Sequence, residues 1–385
     1  MKMVPRLLKL LAPFAFAVCV TVASAQTLTW TNVIAQTLPG GNFGRGTNWS
    51  GDNLSGTATT NTPISGTTCT FDGTVPGPLF VYSVDGINGA GGGNPIGGAF
   101  AANGFTLHMT PTQTSPLTFY ATNTAVGMGF NGISVDAGAG QLVLGDNTSA
   151  QFIATLRPSA GIHAWENDSS FPMIINPNFQ IQNGGGNAHE INFKGTGDFG
   201  ITNNLRNNNN APVNTLQWDS TGTTTWYAGG AHDIFNDGGL GNVIINAGTI
   251  IIKSSGLLPI TFGNSLQHNG TLLVLDSGPS GADTLSRAII GSGPIQVQSG
   301  SWTLTSGAST FGGNWTLNGG ELSANGTESP GSSGPLGEGG TISFNGGTLG
   351  FGPNNTFDYS PRFSTADGQA YSFDTAGQNV TLRRV

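Results

Sequence analysis

One short phrase keeps returning in this chain, and it narrows the folds open to it. Ser299–Thr305 reads SGSWTLT, Asn314–Asn325 reads NWTLNGGELSAN and Gly340–Phe351 reads GTISFNGGTLGF. Each joins a small turn of Gly, Asn or Ser to a few residues that alternate apolar and polar. Ile342 and Phe344 fall on one face, Thr341 and Ser343 on the other, which is the period of a strand. Strands this short cannot stand alone. Repeated every few tens of residues, they read as coils that stack to bury a shared core. Gly248-Thr249, Gly270-Thr271, Gly300-Ser301, Gly320-Glu321 and Gly347-Thr348 look like one recurring junction, at intervals of 22, 30, 20 and 27 residues. The spacing predicts an all-β chain: a parallel β-helix, or β-solenoid, with irregular coils of about 20–30 residues. No Leu-x-x-Leu-x-Leu frame persists. A propeller would need about four strands per blade at a steadier spacing of roughly 40–45 residues.

The first 25 residues predict an address. Lys2, Arg6 and Lys9 precede an apolar run from Leu10 to Val22, and Ala23-Ser24-Ala25 supplies an A-x-A site. That is a secretory signal cleaved between Ala25 and Gln26. The run is too short to span a bilayer, which takes roughly 20 residues. Cys19 sits in a poor context for lipidation and reads as a small hydrophobe of the signal core. Cleavage leaves Cys69 as the single cysteine, so no intramolecular disulfide can staple the mature chain.

It also leaves 9 basic against 20 acidic residues, a net charge of −11. With no basic cluster before Arg383-Arg384, nucleic acid is not an expected partner. Charged residues are 8% of the chain, against roughly 25% in ordinary soluble domains. A surface rich in Gly, Asn, Ser and Thr favours turns and strands over helices. Phe outnumbers Trp and Tyr, 22 against 7 and 5, and its wholly apolar ring suits a stacked interior.

Three stretches follow from composition: residues 1–25 as signal, 26–150 as a β-rich entry or capping region, and 151–385 as the solenoid. In the second, strand-like runs such as Leu79-Phe80-Val81-Tyr82 and Leu117-Thr118-Phe119-Tyr120 are separated by long Gly/Thr/Asn loops, Gly86–Phe100 being the longest. From about residue 151 the strands draw closer together. The Asn-rich patch Asn203–Asn210 reads as a loop or an asparagine-lined corner.

Reactive constellations are sparse. The chain holds no G-x-x-x-x-G-K-[ST], G-x-S-x-G, H-E-x-x-H or paired C-x-x-C. Ala231–Asn242 is a single imperfect copy of a calcium-binding nonapeptide and reads as a polar turn. Carboxylates on neighbouring coils would be needed for acid–base work on a sugar. The candidates are Glu166 with Asp168, His189 with Glu190, and His232 with Asp233 and Asp237. Lys194 adds a base to the second group, an even step from Glu190. A surface ion pair explains Glu190 and Lys194 equally well, and a solvated carboxylate is the preferred reading of each candidate, so no catalytic residue is assigned. Trp218 with Trp226, and Trp302 with Trp315, are candidate sugar-stacking faces. The even steps from Trp302 to Leu304 and from Trp315 to Leu317 favour core packing.

Residues Gly331–Pro353 (GSSGPLGEGGTISFNGGTLGFGP) and Thr356–Leu382 resemble exported bacterial proteins with autotransporter-associated β-strand repeats. The resemblance covers about residues 290–382 and implies a passenger-like parallel β-helix, displayed or released; it brings no catalytic residues. The chain stops at Val385 just after a repeat-like strand, which is the expectation for an array that continues. The sequence therefore predicts an exported, non-enzymatic scaffold for surface display, adhesion or matrix, without cofactor or metal. Extracellular polysaccharide or cell-surface components are the expected partners, with no membrane span in the mature chain. The alternative is a carbohydrate-active β-helix, either a polysaccharide lyase or hydrolase or a sugar-binding module.

Overall fold

A computed structural model describes residues 27–30, 41–42, 49–51, 68–73, 79–83, 105–121, 126–145, 152–156, 161–176, 179–183, 189–202, 213–228, 242–254 and 265–383. Ala25, Gln26, the run 86–100, the patch 203–210, His232, Asp233 and Asp237 lie outside the described residues.

Alternating side chains build the molecule one coil at a time. Ser265–His268 runs along the first sheet, Leu272–Asp276 along a second and Ala282–Leu285 along a third. Ala288–Gly291 then returns to the first sheet, with Ile289 opposite Leu266. Successive coils give sheets of 13, 12 and 5 strands, the third beginning at Ala282–Leu285 as the first ends at Ala288–Gly291. Among the described strands pairing is parallel, except where Thr27–Trp30 meets Trp49–Gly51. No α-helix occurs among the described residues; one 3-10 turn spans Ser360–Arg362. The chain is a parallel β-solenoid, as the returning phrase predicts.

Inward positions stack on inward positions from coil to coil. In the second sheet Ile250 lies opposite Leu273, Leu273 opposite Ile295, Ile295 opposite Trp315 and Trp315 opposite Ile342. All five are buried. Aromatic rings thicken the core: Phe193 stacks on Trp218 at 4.8 Å and meets Phe199 edge-on at 5.3 Å. Such pairs add about 0.5–1.5 kcal/mol beyond the burial of their area. Trp302 donates its indole N–H to Ser299 O (3.0 Å), and Trp315 donates to Leu336 O (3.2 Å), so two inward tryptophans bury no idle donor.

Three details sharpen this picture. The division at 150/151 falls within continuous sheets: Trp165 pairs with Ile133 in the first, and Ile174 with Val143 in the second. Strands from Thr27 onward already belong to the stack. Coil length also varies more widely than expected. Side-chain bonds one coil apart join residues 20 apart at Asn318 and Gln298, and 40 apart at Gly73 and Gln113. In sequence, the Gly-rich run 86–100 falls between Gly73 and Gln113.

The five Gly junctions are two different corners. Gly248 and Gly270 stack where the first sheet turns into the second, Thr271 N donating to Gly248 O at 2.8 Å. Gly300, Gly320 and Gly347 stack where the second turns into the third; Glu321 N donates to Gly300 O (2.8 Å) and Thr348 N to Gly320 O (2.9 Å). The interval of 30 between Gly270 and Gly300 is therefore a step from one corner to another.

Near the C-terminal end, buried side chains hold the long loop between Glu321–Ala324 and Ile342–Phe344. Tyr359 donates its hydroxyl to Glu328 Oε2 (2.6 Å), and Asn355 Nδ2 donates to Tyr359 Oη (2.9 Å) and Gly326 O (2.8 Å). Arg362 donates to the carbonyls of Gly337 and Gly340, both at 3.0 Å, of Leu336 at 3.1 Å and of Gly339. One guanidinium thus replaces the strand pairing that this loop lacks.

The corner geometry makes a direct test. Gly320 has φ +65°, and a Cβ there would meet Gly300 O at 2.1 Å; Gly331 has φ +71° with open space around it. Alanine at either position carries the left-handed penalty of about 1–2 kcal/mol, but only Gly320→Ala must also push two coils apart. Its urea midpoint is expected to fall well below that of Gly331→Ala. Equal losses would contradict the close stacking.

Candidate functional site

A cluster of charged side chains faces outward on the first sheet. Alternation in Gly161–Asn167 and His189–Lys194 turns Trp165, Ile191 and Phe193 inward and Glu166, Glu190 and Lys194 outward. Register then sets Glu166 opposite Lys194 and Ile162 opposite Glu190. The next coil brings Gln217 opposite Asn192, with Asp219 just beyond the end of Val213–Trp218.

Asp219 gathers amides from three coils. Its Oδ2 accepts from Asn192 Nδ2 (2.7 Å) and Gln217 Nε2 (2.8 Å), and its Oδ1 accepts from Asn246 Nδ2 (2.9 Å). Partial burial opposes its charge, but the amide bonds from Asn246, Asn192 and Gln217, together with Lys194, outweigh burial and hold the carboxyl below its usual range. Glu190 moves the other way: burial and then the nearby Asp219 charge raise its pKa, against the pull of Lys194. On this face Asp219 is pushed toward its charged form and Glu190 toward its neutral one, with Glu166 and Lys194 beside them. Asn192, 4% exposed, keeps its Oδ1 without a donor. Ile162, 64% exposed, adds an apolar shelf beside Glu190.

The other candidates disperse. Asp168 belongs to a turn, where its Oδ1 accepts from Thr196 N (2.9 Å) and Thr196 Oγ1 (3.2 Å). His189 points into the core while Glu190 points out, so that pair is not brought together. Trp218 and Trp226, each 1% exposed with rings 5.8 Å apart, lie in the core. Neither offers a face to a sugar, which corrects that candidate: alternation with Leu216 places Trp218 inside. Asp219 was missed, although Gln217 and Asp219 flank inward Trp218 and so must point outward together. Among the described residues no group of His, Cys, Asp and Glu is placed to hold a metal, and no helix is long and apolar enough to cross a membrane.

Histidines form a second polar feature, inside the rod. His163 Nδ1 lies 3.0 Å from Asn131 O, and His163 Nε2 lies 2.9 Å from His189 Nδ1. A carbonyl only accepts, so His163 carries its proton on Nδ1 and His189 donates from Nδ1. A proton added at His163 Nε2 would face another donor. His268 donates from Nε2 to Pro294 O at 2.9 Å. Burial lowers the pKa of His163 and His268, and their backbone carbonyl partners only partly offset it. The unfolded chain thus binds more protons as pH falls, so this contribution is complete above about pH 6.5 and is lost as pH falls through it. The urea midpoint is expected to drop between about pH 7.5 and 5.5, and less so in a His268→Gln variant; a midpoint that rises on acidification would contradict the assignment.

No family model, no curated protein and no solved structure matches this chain.

Proposed function

We propose that the protein is an exported, non-enzymatic β-solenoid scaffold that works in surface display, adhesion or extracellular matrix, with extracellular polysaccharide or cell-surface components as its partners. The observation that carries this reading is the uninterrupted stack. Coil after coil buries its apolar side chains inward, while Thr, Ser, Gln and Asn repeat at fixed spacing outside, as in Gln296, Thr316 and Ser343 along the second sheet. A rod of this kind presents one polar motif many times along its length, which suits multivalent contact. The Lys2 to Ala25 signal supplies the address, and the acidic balance disfavours nucleic acid.

One observation favours the second reading, a carbohydrate-active protein. Glu190 and Asp219 share a face and their pKa values move apart, the asymmetry that separates an acid from a base.

The two readings part on one experiment. Purified Gln26–Val385 is incubated with an array of acidic and neutral polysaccharides, and bound protein, new reducing ends and unsaturated products are measured. Binding without turnover is the expected result. New ends that vanish in Glu190→Gln would replace the scaffold with an enzyme.

A further inference from the structure

The geometry points to a binding subsite for a neutral, β-1,4-linked hexose chain on the outward face of the first sheet, along the column of Glu166, Lys194 and Asp219, with the glycan lying along the rod axis. This rests on the adhesion reading and names where, and to what, the protein adheres.

Spacing comes first. Outward residues that pair across this sheet recur once per coil, about 4.8 Å apart, close to the advance of one hexose in an extended β-1,4 chain. Glu166, Lys194 and Asp219 follow one another along that direction on successive coils, so each sugar in turn meets a charged or amide group. Hydrogen-bond capacity is mixed in the way vicinal hydroxyls require: Lys194 donates, and the carboxylates of Glu166 and Asp219 on the coils to either side accept. Amides from Asn192, Gln217 and Asn246 hold the Asp219 carboxylate fixed before any ligand arrives, which lowers the ordering cost of binding. Charge selects the class. Three carboxyls share this face with the single ammonium of Lys194, so a polyuronate would meet repulsion where a neutral chain would not.

The test uses the mature chain and glucose or mannose β-1,4 oligomers of two to six residues, with a polygalacturonate oligomer as the anionic probe. Affinity for a neutral series is expected to rise with length up to about four residues, the coils from Gly161–Asn167 to Asn242–Ile245 that the face spans, and then level off. Lys194→Met and Asp219→Asn should each weaken it by about tenfold or more. Thr303→Ala, an outward control on the third sheet, should bind like the wild type. Circular dichroism confirms that each variant remains β-folded. Binding that survives both site variants, or that prefers polygalacturonate, overturns the subsite and leaves the adhesion reading standing. If the folded wild type ignores the neutral oligomers but binds other surface material, the subsite alone fails; if it binds nothing, both fail.

Discussion

Backbone hydrogen bonds running along the axis, from each coil to the next, are the constraint on which everything else depends. They require neighbouring coils to approach to strand distance at every corner as well as along every sheet. Corners are where side chains obstruct that approach, and there the chain uses Gly, Ser and Asn. Gly320 sits on Gly300 so closely that no Cβ fits between them. Once the coils are this close, register follows, and with it the columns of identical roles: apolar inside, small and polar outside.

Where a coil departs from the ladder, another device replaces it. The loop that precedes Ile342–Phe344 carries few strand bonds of its own, and Arg362, Tyr359 and Asn355 of the following coil supply partners to its carbonyls and to Glu328. Burial and the Tyr359 hydroxyl act in opposite directions on Glu328, burial prevailing to raise its pKa. Around Asp219 the same logic runs on the outer surface, where amides from three coils meet one carboxylate. Polar clusters in this protein tie coils together, and their members come from residues about one coil apart in sequence.

That spacing explains what the sequence revealed and what it withheld. Strand alternation was legible wherever strands are close, as in SWTLT and TISFN, because the period is local. Trp302 and Trp315 were readable as core from their even steps to Leu304 and Leu317. The coils before residue 150 were hidden, since long Gly-rich loops separate strands that pair in space, as Phe71 does with Met109. Assigning Gly270 and Gly300 to different corners needs the register of three sheets at once. The face built on Asp219 was partly visible: Glu166, Glu190 and Lys194 stand out as charges in a chain that has few. Which of them meet depends on loop lengths that no local pattern encodes.

The direction of the ladder has a mechanical consequence. Its bonds lie along the axis, so a pull on the two ends loads them in tension, one coil at a time. Each coil that lets go gives up about 5 Å of stack and releases its own contour. For the coil that joins Asn318 to Gln298, 20 residues apart, that is roughly 65–70 Å of extended chain. Longer coils release more. Under load such a rod lengthens many times over before its last coil opens, and it does so in steps set by coil length. A rod built this way absorbs a tug as extension while the remaining coils stay folded.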